Sequence, residues 1–298
     1  MTRVVLVHGI AQQNKGSETL LADWYPALND GLVLATGMDL VRDEVSMAFY
    51  GDLFRPPGHR GLGEPELDAS DVQEAIERDL LLQWWASAAE QETQVAGPGA
   101  ATRLRTPLLV QRALDALSHS AFFSGLSERA MIGSARQVQR YFTEPEVRAD
   151  VQDRLARIVT RDAEVIVAHS LGTVVAYETL CAHPEWPDLT LITLGSPLAV
   201  RNLVFDRLTP PPVGNYARWP APVKRWTNIA DAGDVVALAK ELAPVFGERI
   251  RDQLVHNGAK AHDVRPYLTA RETGKAVAEA LSDGSSRAVQ RPGHAPGA

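Results

Sequence analysis

One serine stands between a strand-like and a helix-like segment of this chain. Residues 164–168 are apolar apart from Glu164 and rich in β-branched side chains, whereas residues 173–180 have the composition of a helix. Ala168 and Gly172 put small side chains two residues before and two residues after Ser170. Small side chains are needed where a strand and a helix nearly touch. The stretch therefore predicts a buried strand that turns sharply into a helix, as in a layered α/β fold.

This turn gives Ser170 the setting of a nucleophile. On a tight strand-to-helix turn the hydroxyl projects beyond the sheet edge, where a bound carbonyl can reach it. The first N–H groups of the helix point at the charge that develops on that carbonyl. The alternative is a structural role, in which Ser170 only caps the helix N-terminus.

A second buried strand is predicted at the N-terminus. Residues 3–7 are apolar apart from Arg3 and lead into His8 and Gly9, and the mostly polar residues 11–14 follow shortly after. A short apolar run bounded by turn signals is typical of a parallel strand. We expect His8 to orient the following loop through hydrogen bonds rather than to act as a base.

Three motifs occur in order along the chain: LVHGI at residues 6–10, AHSLG at residues 168–172 and LGSPL at residues 194–198. Together they resemble the lipases and esterases of the α/β-hydrolase superfamily. The resemblance covers residues 1–50 and 145–270. Ala168 stands where the commoner pattern has glycine.

The resemblance implies a three-layer α/β-hydrolase fold with a mostly parallel sheet and a helical cap or lid insertion. It also implies an oxyanion hole formed by the backbone N–H groups of Ile10 and Leu171. In this fold the nucleophile is followed along the chain by an acid and then by a histidine.

Two acids compete for the acid position. Residues 225–230 have a strand-like composition and lead into Asp231 and Asp234. Asp234 resembles the family position better, because related lipases place the acid in a turn before a small apolar step such as Val235 and Val236. Asp231 is expected to brace the turn.

Three histidines follow Asp234. His262 directly precedes a helical stretch at residues 264–281, which resembles the family's loop between the last strand and the last helix. His256 is the alternative, although it is expected at the end of the strand itself. His294 lies in a Gly/Pro-rich tail, and His169 should face the opposite side of its strand end.

The motifs divide the chain into a core at residues 1–53 and 145–283, a helical insertion at residues 54–144 and a disordered tail at residues 284–298. A capping box at residues 71–74 predicts the start of a helix in the insertion. One face of that helix should carry Ile76, Leu80, Trp84 and Ala88. Four aromatic residues are candidates for the wall of an acyl pocket, with core packing as the alternative: Trp84, Trp85, Phe122 and Phe123.

Composition narrows the class of partner. The single cysteine, Cys181, rules out an internal disulfide, and no Cys/His spacing predicts a metal, so neither metal nor cofactor is expected. A net charge of −7 over 298 residues argues against nucleic-acid binding. Neither a signal peptide nor a membrane span is predicted, and the expected location is the cytoplasm.

The resemblance implies a serine hydrolase that cleaves a carboxylic ester of a small or lipid-like acyl substrate. Ser170 would attack, His262 would carry the proton and Asp234 would orient the imidazole. An acyltransferase or a thioesterase would use the same side chains. A binding module that kept the fold without catalysis is a further alternative.

Overall fold

The computed structural model describes residues 2–55, 67–99, 106–120, 123, 126–258 and 261–289, with side chains described as far as Asp283. Six strands are present in the described residues: β1 (Val4–Val7), β2 (Val45–Ala48), β3 (Val165–His169), β4 (Leu189–Leu194), β5 (Val223–Asp231) and β6 (Ile250–Val255). The α-helices of the same residues are α1 (Ser17–Thr36), α2 (Ala75–Gln91), α3 (Thr106–Ser118), α4 (Glu128–Thr143), α5 (Pro145–Ala156), α6 (Leu171–Ala182), α7 (Ala243–Phe246), α8 (Val264–Thr269) and α9 (Arg271–Val289).

The strands form one parallel sheet in the order β2-β1-β3-β4-β5-β6. The expected α/β architecture is thereby confirmed. Strand β2 pairs with one edge of β1, and β3, which comes later in the chain, pairs with the other edge. Ligands of open parallel sheets bind at the carboxyl edge where the strand order reverses in this way. The fold therefore directs attention to the ends of β1 and β3.

Helices cover both faces of the sheet because each central strand is apolar on both sides. Val4 and Leu6 of β1 pack with α1, α8 and α9, whereas Val5 and Val7 pack on the opposite face with α5 and α6. All four valine and leucine side chains are fully buried. This period-two division produces three layers.

Between β2 and β3 the chain forms a helical unit in which α2 packs against both α3 and α4. The predicted face of α2 is buried at Ile76, Leu80, Trp84 and Ala88. The predicted capping box is wrong in position. The Asp71 carboxylate accepts a hydrogen bond from the Asp68 N–H at 2.9 Å and closes a 3₁₀ turn, so α2 starts at Ala75 with no side-chain cap.

Helix α9 continues to Val289, beyond residue 284, where a disordered tail is predicted to begin. Residues 290–298 lie outside the described residues. None of the helices in the described ranges is both long enough and apolar enough to cross a membrane.

Candidate active site

Ser170 occupies the turn between β3 and α6 with backbone angles φ 54° and ψ −130°. A non-glycine residue at positive φ costs about 1–3 kcal/mol and persists only where its surroundings hold it. Here the Ser170 N–H donates to the Leu194 carbonyl at 3.0 Å, and the Thr173 hydroxyl donates to the Ser170 carbonyl at 2.8 Å. The turn is therefore held from both β4 and α6.

Gly172 lets α6 approach β1. A Cβ atom at this position would lie 2.4 Å from the His8 carbonyl oxygen and 2.6 Å from that of Val7. Real side chains do not tolerate such distances to backbone atoms. The close approach brings the elbow at Ser170 next to the loop that follows β1.

Ser170, His262 and Asp234 form one chain of hydrogen bonds. His262 Nε2 lies 3.0 Å from Ser170 Oγ, and His262 Nδ1 lies 2.7 Å from Asp234 Oδ2. A carboxylate only accepts, so Nδ1 carries the proton and Nε2 of the neutral ring is free to accept from the serine hydroxyl. The structure thus joins the three side chains that the sequence favours for nucleophile, base and acid.

The Asp234 side chain is completely buried, with both oxygens bound. Oδ1 accepts from the N–H groups of Val236 at 2.9 Å and Ala237 at 3.1 Å. Burial alone would raise the Asp234 pKa, but the charge and hydrogen bond of His262 and these amide donors hold it at about 2. The group is therefore a carboxylate at neutral pH.

The competing acid and base lie elsewhere. The Asp231 carboxylate accepts from the backbone N–H groups of Gly233, at 2.6 Å, and Asn257, so it ties the turn after β5 to the end of β6. His256 is exposed just beyond β6. Among the described residues, neither side chain has a hydrogen bond to Ser170 or His262.

His8 fixes the loop after β1. Its Nδ1–H donates to the Gly9 carbonyl at 2.7 Å, and its Nε2 accepts from the Tyr50 N–H at 3.1 Å. Burial lowers its pKa to about 4, so the ring stays neutral. With both nitrogens engaged, His8 can orient the Gly9–Ile10 peptide but cannot serve as the base.

The two candidate oxyanion donors belong to two segments that adjoin Ser170, the start of α6 and the loop after β1. Leu171 opens α6, where the first N–H groups lack partners within the helix, and Ile10 lines the same pocket as Ser170. The next residue, Ala11, has a positive φ of 61° and donates its N–H to Gln137 of α4 at 3.0 Å. Helix α4 therefore anchors the loop that carries Ile10.

A pocket of about 560 Å³ opens over Ser170 and His262. Its apolar wall is supplied in part by the helical unit, through Trp84, Phe123, Leu126 and Met131, and in part by residues of the sheet-and-helix core, among them Ile10 and Trp24. Charged side chains at the pocket are paired, Lys15 with Asp23 at 3.3 Å and Arg265 with Asp263 at 2.6 Å. The pocket thus combines an apolar wall with a mouth of balanced charge.

The four aromatic candidates are placed differently. Trp84 and Phe123 line the pocket with ring centroids 5.7 Å apart, and both side chains are almost completely buried. Trp85 does not line this pocket, and its indole N–H donates to the Ala96 carbonyl at 2.6 Å. Phe122 lies outside the described residues.

His169 is closer to the site than the sequence indicates. Its ring centroid lies 4.7 Å from that of His262 and 6.1 Å from that of Trp24. Burial, reinforced by the nearby His262 charge, lowers the His169 pKa to about 3. His169 therefore supports the His262 ring as a neutral side chain.

Sequence reasoning missed two contributors to the site. Gly195, at φ 53°, leaves space that a Cβ would fill at 2.9 Å from Asp234 Oδ2, so the glycine of the LGSPL motif lies against the acid–base pair. Tyr267 of α8 donates its hydroxyl to Asp234 Oδ2 at 2.9 Å. The motif gave a signal for Gly195, whereas nothing local distinguishes Tyr267 from a core tyrosine.

No group of three or more histidine, cysteine, aspartate or glutamate side chains in the described part of the chain is arranged to hold a metal ion. Cys181 lies apart from the site, and burial raises its pKa to about 11.

No protein-family model matches the chain, and none of the curated proteins matches it.

Proposed function

We propose that this protein is a serine hydrolase of the α/β-hydrolase type that cleaves carboxylic esters through an acyl-enzyme. The observation that carries the proposal is the continuous hydrogen-bond chain from Ser170 through His262 to the buried Asp234. These three side chains lie at the carboxyl edge of a parallel sheet, where a pocket opens over Ser170 and His262. Nucleophile, base and orienting acid within hydrogen-bond reach are the signature of an activated serine.

The proposed reaction has two halves. Ser170 Oγ attacks the ester carbonyl while His262 Nε2 takes its proton, and Asp234 holds Nδ1–H and stabilises the imidazolium. The N–H groups of Ile10 and Leu171 bind the oxyanion. His262 then protonates the departing alcohol, leaving an acylated Ser170. Water attacks this acyl-enzyme by the same steps in reverse and releases the acid.

The pocket supports an apolar, uncharged acyl group as the substrate. In the proposed fold α2, α3 and α4 form the cap, and the apolar side chains of this unit that line the pocket would contact the acyl chain. Lys15 and Arg265 at the pocket are neutralised by Asp23 and Asp263, which leaves no surplus charge to select a charged substrate among the described lining residues.

Hydrolysis of p-nitrophenyl esters with acyl chains of increasing length tests the proposal. The unmodified protein should release p-nitrophenol, and Ser170→Ala should reduce kcat/KM by ~10⁴-fold or more because the triad acts as a unit. Ser118→Ala, at an exposed serine of α3, is the matched control and should keep full activity. Turnover that survives in folded Ser170→Ala protein would refute the mechanism.

Acyl transfer and thioester cleavage use the same acyl-enzyme, so product masses should be measured with water, alcohols and thiols as acceptors. An acyl product formed with an alcohol in preference to water would assign transfer. If no ester or thioester is cleaved, the binding-module alternative is favoured.

A further inference from the structure

Tyr267 joins the acid–base pair through its hydroxyl. The hydroxyl donates to Asp234 Oδ2 at 2.9 Å, and it accepts the Asp231 N–H at 2.8 Å. Oδ2 is the oxygen that also binds His262 Nδ1. The tyrosine therefore shares a single carboxylate oxygen with the imidazole that would act as the base.

The direction of this hydroxyl is fixed. A phenol has one proton to donate, and the Asp231 N–H already occupies one of its acceptor positions. Tyr267 is completely buried, and burial together with the Asp234 charge raises its pKa well above the usual range. The phenol stays protonated, and its proton points at Asp234.

The backbone holds the ring in this position. The Thr273 hydroxyl donates to the Tyr267 carbonyl at 2.6 Å and ties α8 to the first turn of α9. Asp231 ends β5 and is itself bound by the amides of Gly233 and Asn257. The donor to Asp234 is thus carried by rigid elements of the core.

We propose that Tyr267 is a positioning residue for the Asp234–His262 pair, an inference that rests on the proposed hydrolase function. Its hydrogen bond completes a set of four donors to the Asp234 carboxylate, two on each oxygen. A carboxylate bound in this way cannot rotate away from His262. The bond therefore holds the acid, and through it the imidazole, in the geometry that proton transfer from Ser170 requires.

Other charged or titratable groups around the pair do not replace this contact. Lys240 Nζ donates to the backbone carbonyls of Asp234 and Ala237 rather than to the carboxylate. His169, beside the His262 ring, is held neutral by burial. The Asp263 carboxylate binds Arg265.

Tyr267→Phe removes only the hydroxyl and tests the proposal. Because Asp234 Oδ2 then keeps His262 as its single donor among the described residues, the pair loses part of its fixed geometry, and kcat should fall by roughly three- to tenfold. KM should stay within about twofold, since Tyr267 is not part of the pocket wall. The proton NMR signal of His262 Nδ1–H should move in Tyr267→Phe without any substrate, because this proton is bound to the oxygen that the tyrosine shares.

Tyr177→Phe is the matched control. Tyr177 is also buried, and its hydroxyl donates to the Arg218 carbonyl at 2.9 Å, away from the pair. It should lose comparable stability but leave kcat and the His262 Nδ1–H signal unchanged. An unchanged kcat and an unchanged Nδ1–H signal in Tyr267→Phe would overturn the positioning role. Absence of hydrolysis in the unmodified protein would instead refute the hydrolase function, while the NMR shift would still report on the Tyr267 contact.

Discussion

Asp231 and Asp234 lie in one turn and are both buried, yet their surroundings give them different roles. Among the described residues, the Asp231 carboxylate accepts only backbone N–H groups, whereas Asp234 accepts two backbone N–H groups and the side chains of His262 and Tyr267. A carboxylate bound to backbone amides stabilises a turn. A buried carboxylate bound to an imidazole can also fix its tautomer and stabilise its charged form.

Four variants compared in one assay test this division. Asp234→Asn should reduce kcat/KM by about 10⁴-fold, because an amide in place of the carboxylate permits the wrong imidazole tautomer, and His262→Ala should be at least as damaging. Asp231→Asn should cost about 1–2 kcal/mol of unfolding free energy and no more than roughly tenfold in rate. His256→Ala should change neither quantity appreciably. A larger rate loss at Asp231 or His256 than at its competitor would reverse that assignment.

The sequence could indicate Ser170 as the candidate nucleophile because the signal is local: a turn with small residues between a strand and a helix. It could rank Asp234 above Asp231 only through the family resemblance, because local composition permits either. The Tyr267 contact depends on a hydrogen bond between α8 and the turn after β5. Such long-range pairing has no periodic or motif signal in a single sequence.

The helical unit that contains α2 to α4 contributes to the site in two ways. It supplies part of the pocket wall, and it holds the loop after β1. Gln137 of α4 accepts the Ala11 N–H at 3.0 Å and donates to Gln13 at the same distance. Trp84 of α2 lines the pocket and is also almost completely buried. Its truncation would also cost about 3–5 kcal/mol of stability, which makes it a poor probe of substrate binding.

Leu126 is a cleaner probe of the pocket wall, because it lines the pocket but is 48% exposed. Leu126→Ala should lower kcat/KM for a dodecanoate ester by roughly five- to thirtyfold relative to an acetate ester, since only the long chain reaches the wall. Leu108→Ala, at a 59% exposed leucine of α3 that is not part of the pocket wall, should affect neither ester. Parallel losses for both esters, with a lower melting temperature, would indicate a structural role for Leu126.

In the molecule as a whole, the apolar strands and the order of the motifs were sufficient to predict an α/β fold with a parallel sheet. The residues that form the capping box ahead of α2 could not be predicted from sequence. Several acids between residues 68 and 74 can serve as caps, and tertiary packing selects among them.

The most direct test is reaction with a fluorophosphonate probe, followed by intact-mass measurement and peptide mapping. An activated serine forms a covalent phosphonyl adduct, whereas an ordinary helix-capping serine does not. One adduct per chain, on Ser170, is expected in the unmodified protein, with no adduct in Ser170→Ala and much slower labelling in His262→Ala. No adduct, or an adduct on another residue with Ser170 unmodified, would contradict the proposed nucleophile.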